Sequence, residues 1–232
     1  MSRAQEVCDR VYAVGGYGLS GSEDCCVYLV DAGSELIMID TGAGSSLNRI
    51  EKNIRSAGFE PAQIRHIIAT HCHIDHIGGL ASMVHWYGSK VIAHELDRPG
   101  IEGENNDLTA AAIYGIDYQP VKVDILIKGE AETLLLGDLE FNFVHTPGHT
   151  PGSMSPYIDT KTGGFYSDRT YTGRFPPPGA PTWQRGGSPW RSCWRSRRMC
   201  CARGMRGFIG EIRWGGILKD IWRDMEPNFR IL

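Results

Sequence analysis

Long apolar runs are missing from this 232-residue sequence. None approaches the roughly 18 residues that a helix needs to cross a bilayer, which excludes a transmembrane helix. An apolar stretch is also missing from residues 1–10, where Glu6, Asp9 and two arginines stand instead. A secretory leader requires such a stretch, so the expected location is the cytoplasm. Cysteines are few and poorly spaced for crosslinking: there are seven, an odd number, and Cys25-Cys26 and Cys200-Cys201 are direct neighbours. Reduced thiols filling the core are therefore expected rather than a disulfide framework. Histidine is absent after His149, although all eight histidines lie before residue 150. The length suits one large domain or a domain with a short appendage.

The formal net charge of −3 conceals an asymmetry. Residues 1–170 hold 12 basic and 23 acidic side chains, whereas residues 171–232 hold 12 basic and 4 acidic. Five of the six tryptophans and 11 of the 18 arginines also fall in those last 62 residues. A boundary near residue 170 follows, with an ordered domain before it and an atypical Arg-, Trp-, Pro- and Gly-rich tail over 171–232.

Before that boundary the pattern alternates between strand and helix. Short apolar, β-branched runs at residues 11–14, 26–30, 36–39 and 64–69 predict strands. Leu47, Ile50 and Ile54 recur at helical spacing, with Ser45 as an N-cap and Gly58 just past the end. A second helix is predicted over 77–87, stopped by Gly88, and a more helical stretch over 107–114. Further strands are expected at 91–93, 121–127, 133–136, 139–144 and 164–166. After residue 170 no period of 2 or 3.6 persists, and a weak helix over 209–225 is interrupted by Gly215-Gly216.

The informative segment is Thr70-His71-Cys72-His73-Ile74-Asp75-His76-Ile77-Gly78-Gly79. It follows a strand and leads into a helix. His71 and His73, two apart in extended chain, point to one side, and Asp75 and His76 fall on the turn beyond. Imidazoles and a carboxylate are ligands for zinc and related divalent ions, and four in six residues can begin two adjacent sites. Three histidines and an aspartate at these spacings arise by chance in about five chains in 10,000 of this composition. A second segment, His145-Thr146-Pro147-Gly148-His149-Thr150-Pro151-Gly152, follows a strand, and its Pro and Gly hold a histidine rigidly at that strand's end. Asp168 ends a short strand, where it could bridge two cations or be an ordinary strand-end aspartate. Asp40, before Thr41-Gly42, could orient a ligand through a hydrogen bond or cap the turn.

Together these residues resemble the metallo-β-lactamase superfamily, and within it the glyoxalase II-like hydrolases, over residues 1 to about 168. The resemblance implies an α/β (α+β) fold, a four-layer αββα sandwich with metals at the edge of its two sheets, its C-terminal part incomplete or aberrant here. It assigns His71, His73 and His149 to a first metal, Asp75 and His76 to a second, and Asp168 to a bridge between them. His145 is not a ligand in the family and is left a supporting or structural role. Asp168 in place of a cysteine argues against a true β-lactamase, and His73 in place of a glutamate argues against the flavodiiron branch. The implied cofactor is zinc, one or two ions, with iron or manganese as alternatives. The implied reaction is hydrolysis of a small-molecule thioester, lactone or other ester by metal-activated hydroxide, with Asp75 orienting the attack. Neither a membrane nor nucleic acid is an expected partner. Two alternatives keep the fold: a mononuclear iron persulfide dioxygenase, and an inactive metal-binding protein with a damaged second site.

The family pattern needs one more histidine near the C-terminus, usually in a Gly-His pair. Read one nucleotide out of register over residues 192–207, codon degeneracy permits a peptide with an amphipathic helix, a strand and a Gly-His. One frameshift near residue 170 accounts together for the charge switch, the Trp and Arg excess and the missing ligand. The other reading is a genuine basic, Trp-rich tail that binds nucleic acid or a partner.

Overall fold

β-Branched and aliphatic residues bounded by turn residues set out the first sheet. The computed structural model describes residues 4–160, 163–167 and 172–174; Asp168, the predicted 209–225 helix and the rest of the tail lie outside them. Strands β1 (Gln5–Cys8), β2 (Val11–Gly15), β3 (Val27–Asp31) and β4 (Leu36–Ile39) pair antiparallel in sequence order. The pairing then becomes parallel through β5 (Ile64–Ile68), β6 (Lys90–His94) and β7 (Ile125–Ile127), completing a seven-stranded sheet. Parallel neighbours need crossover connections. These contain α1 (Leu47–Ser56), then α2 (Ile74–Ile77) with α3 (Leu80–Tyr87), then α4 (Arg98–Ile101) with α5 (Ala111–Tyr114). A second, antiparallel sheet comprises β8 (Ala131–Leu136), β9 (Leu139–His145), β10 (Met154–Thr160), β11 (Gly163–Ser167) and β12 (Thr172–Arg174), in the order β12-β11-β10-β9-β8.

Alternation along the strands divides the buried side chains into two cores. Val27, Leu29, Leu36 and Met38 meet Leu47, Ile50 and Ile54 of α1 and Leu80 and Met83 of α3. Their strand neighbours Tyr28, Val30, Ile37 and Ile39 meet Phe141, Phe143, Ile158 and Phe165 of the second sheet. The described residues thus form three of the four expected layers: helices, sheet, sheet. No helix among them is long and apolar enough to cross a membrane.

Several boundaries differ from expectation. The residue at the start of α1 is Ser46, not Ser45, and neither hydroxyl caps the helix: Ser46 donates to Asp24 and Ser45 to Glu23. The predicted 77–87 helix begins earlier, at Ile74, and is split at Gly78-Gly79. A Cβ at Gly78 would stand 2.2 Å from the Ala43 carbonyl oxygen, so the split lets Ala43 dock closely. The 107–114 stretch is a 3-10 turn and then α5, separated by Ala110 in a left-handed conformation, φ +55. The 121–127 strand pairs only over Ile125–Ile127. Strands β1, β10 and β12 were not anticipated; β10 carries Pro156, which reads against a strand.

Candidate metal centre

The carboxyl ends of the parallel strands lie side by side, so the loops after β4, β5 and β6 emerge along one edge. The loop after β5 brings His71 and His73, and the turn between β9 and β10 brings His149. Their ring centroids are 4.9 Å (His71–His73), 4.7 Å (His71–His149) and 4.1 Å (His73–His149) apart. One donor atom from each lies within 4.8 Å of the others. His71 is buried and the other two are partly exposed, so the triad opens to solvent on one side. Three converging imidazoles are the donor set of a single zinc or related ion.

His76 is the immediate neighbour: its ring lies 3.9 Å from that of His71, and its Nε2 lies 3.5 Å from Asp75 Oδ2. Both residues sit in α2, whose single turn presents them together. Asp40 supports this pair from behind. His76 Nδ1 is 2.8 Å from Asp40 Oδ2, and the same carboxylate accepts hydrogen bonds from Thr70 N at 2.8 Å and the Thr70 hydroxyl at 2.8 Å. Because that hydroxyl donates to Asp40, it accepts from His71 Nδ1, 3.2 Å away. Both imidazoles therefore carry their protons on Nδ1 and present Nε2 as the basic nitrogen, the tautomer fixed by the neighbours. Thr41 adds a backbone anchor, donating from its N at 2.7 Å and its hydroxyl at 2.8 Å to the His76 carbonyl.

Cys25 joins the rear of this arrangement. Its thiol, an Asp40 oxygen and a His76 nitrogen lie within 4.8 Å of one another, and its backbone N–H donates to the Asp75 carbonyl at 3.2 Å. Burial, and then the Asp40 and Asp75 carboxylates, push the thiol well above its usual range and keep it protonated. Cys72 lies between two of the histidines but turns away, its thiol reaching the Leu108 carbonyl at 3.3 Å. Burial, with Asp97 nearby, raises it too.

The structure brings together His71, His73, His76, Asp75, Asp40 and His149. His145 is elsewhere: it stacks on His94 with centroids 4.0 Å apart, and its Nε2 lies 2.8 Å from the Pro151 carbonyl oxygen. Asp168 lies outside the described residues. Sequence reasoning missed Thr70, Cys25 and Asp97, whose contacts cross between loops far apart in the chain. The one available signal for Asp97 was its place just past a strand, a context it shares with Asp40.

Residues 22–201 match the metallo-beta-lactamase superfamily. Among curated proteins, the chain is 28% identical to the probable metallo-hydrolase YqgX of Bacillus subtilis, over 56% of this chain and 59% of that protein. It is 27% identical to an N-acyl homoserine lactonase of a Bacillus species, over 50% of this chain and 42% of that protein. Among solved structures it is similar to the class B3 di-zinc metallo-beta-lactamase LRA-12 from an Alaskan soil metagenome. That likeness has a TM-score of 0.60 and 26% identity, and covers 71% of this chain and 60% of the other. The matches thus cover about 60% or less of the relatives' own length.

Proposed function

Because the chain belongs to the metallo-beta-lactamase superfamily, we propose that it hydrolyses a small-molecule thioester, lactone or other ester in the cytoplasm, with one or two zinc ions as cofactor. The observation that carries this reading is the convergence of His71, His73 and His149, beside an Asp75–His76 pair oriented by Asp40. The donor set fits the metal. Imidazole nitrogens within 4.8 Å of one another suit zinc, and they also suit iron or manganese. When bound, such an ion polarises a carbonyl and makes water acidic enough to attack near neutral pH.

The side chains supply the rest. Asp75 is partly exposed and faces the same space as His76 Nε2, so its carboxylate can accept a hydrogen bond from an attacking water and hold the proton released. Asp40 and Thr70 keep His71 and His76 in one tautomer, so that neither ring has to reorient during turnover. The open side of the triad, at His73 and His149, is where a substrate carbonyl can approach.

The test is to purify the chain, determine its metal, and assay a hydroxyacyl-glutathione thioester, an N-acyl homoserine lactone and a β-lactam with and without chelator. Chelator-sensitive hydrolysis of the thioester or the lactone is the expected result. A protein that takes up no metal, or that opens only the β-lactam, overturns the reading.

One observation favours a second reading, a mononuclear iron persulfide dioxygenase. Among the described residues His71, His73 and His149 form by themselves a three-histidine set sufficient for a single ion. Oxygen uptake with a glutathione persulfide by the iron-loaded chain would establish it, and bound zinc without oxygen uptake would exclude it. A chain that binds metal without turning over any of these substrates is the inactive form.

A further inference from the structure

Asp97 is fully buried and stands at the start of α4, where an aspartate ordinarily accepts a hydrogen bond from the first turn of its own helix. Here it makes no such bond. Its carboxylate is turned to two other loops: Oδ2 accepts from Cys72 N at 2.9 Å and from the Thr150 hydroxyl at 2.6 Å, and Oδ1 accepts from Gly152 N at 2.6 Å. Cys72 lies between His71 and His73, and Thr150 directly follows His149. One carboxylate therefore ties the two segments that carry the histidine triad.

Gly152 belongs to the same device. A Cβ at that position would stand 2.5 Å from Asp97 N and 2.8 Å from its Cβ and Cγ, so only glycine permits the approach. No ion pair among the described residues includes Asp97. Its charge is held by three neutral donors, and such charge-assisted bonds are shorter and stronger than neutral ones. Asparagine cannot replace it, because its single oxygen can face only one side while its NH2 meets another donor.

We propose that Asp97 is a positioning residue for the metal centre: by holding Cys72 N, the Thr150 hydroxyl and Gly152 N, it fixes His149 relative to His71 and His73 and so sets the affinity and geometry of the triad. This rests on the three histidines being the ligands. The test uses the full chain, stripped of metal and titrated with zinc for affinity and with cobalt(II) for its visible ligand-field spectrum. Far-UV circular dichroism checks the fold, and Ile50→Val serves as a core variant remote from the loops.

Asp97→Asn is expected to lose about 10–100-fold in zinc affinity, the range for changing a group that supports metal ligands, and to shift the cobalt spectrum. Ile50→Val is expected to change neither. Thr150→Ser, which keeps the hydroxyl, retains the affinity, and Thr150→Val loses several-fold. Unchanged affinity and spectrum in a folded Asp97→Asn overturns the proposal. If Asp97→Asn does not fold, the Thr150 pair decides, and equal affinity for Ser and Val overturns it. A wild-type chain that binds no zinc or cobalt refutes the ligand assignment itself, a separate failure.

Discussion

Asp40 accepts a hydrogen bond from His76 Nδ1 at 2.8 Å while its own backbone is held in a left-handed conformation, φ +59. Aspartate is one of the few residues that tolerates this region, and the carboxylate it delivers also takes Thr70 N and the Thr70 hydroxyl. Asp40→Ala leaves these donors without their acceptor in a buried site. It is expected to lower stability by about 1–3 kcal/mol and to weaken metal binding at His76 by about 10–100-fold. Urea denaturation and zinc titration read the two effects, and unchanged zinc affinity at His76 would show that its orientation does not depend on Asp40.

His73 and Cys72 are adjacent, yet their side chains serve different surroundings. His73 faces His149 across 4.1 Å, whereas the Cys72 thiol packs toward Leu108 and Gly100. His73→Ala should abolish metal uptake by the triad and all activity. Cys72→Ala should leave metal content unchanged at a cost of about 1 kcal/mol in stability, since one buried sulfur is removed. Elemental analysis after gel filtration separates the two, and loss of metal in the cysteine variant would refute the ligand assignment.

Two glycines separate lack of space from backbone strain. Gly78 has an ordinary helical backbone, φ −59, but its Cβ would collide with the Ala43 carbonyl at 2.2 Å. Gly88 has φ +65 and nothing within 4 Å of where a Cβ would stand. Gly88→Ala is expected to cost about 1–2 kcal/mol from the left-handed conformation alone. Gly78→Ala should cost more, about 1–3 kcal/mol or beyond from overpacking, and should also displace Asp75 and His76, which lie in the turn just before it. Thermal denaturation with zinc titration tests both; equal losses and equal zinc affinity would mean that the Ala43 contact relaxes freely.

Both histidine motifs and most of the first sheet were legible because their signals are local. Leu47, Ile50 and Ile54 form a helical stripe, and residues 26–30 and 36–39 are bounded runs that no other reading fits well. What sequence reasoning missed depends on partners distant in the chain. Asp97 meets Cys72 and Thr150, and Thr70 meets Asp40, through contacts that no periodicity encodes. The break between α2 and α3 follows from the close approach of Ala43 to Gly78, and β10 accommodates Pro156 because β11 pairs with it only from Tyr157 onward, leaving β9 alone opposite the proline. His145 was expected in a supporting or structural role, and the partner it stacks on, His94, lies far from it in the chain.

His71, His73 and His149 converge as a set of three, while His76 and Asp75 are a pair, and the chain has no histidine after His149 to add to them. Each missing ligand removes a bond and leaves a position to water, so the first ion should bind tightly and the second more weakly, by more than the about 10–100-fold that loss of a mere outer-shell support costs. Stepwise zinc titration of the metal-free chain should therefore show one tight and one weak phase. His149→Ala should remove the tight phase and His76→Ala only the weak one. If residues 171–232 are a frameshifted translation, replacing them with a neighbouring-frame peptide in which codon degeneracy is resolved to a Gly-His should tighten the second phase, because one more imidazole becomes a ligand. Two equally tight phases in the chain as written would mean that the pair is already completed by other groups and that the frameshift is not needed to explain the site.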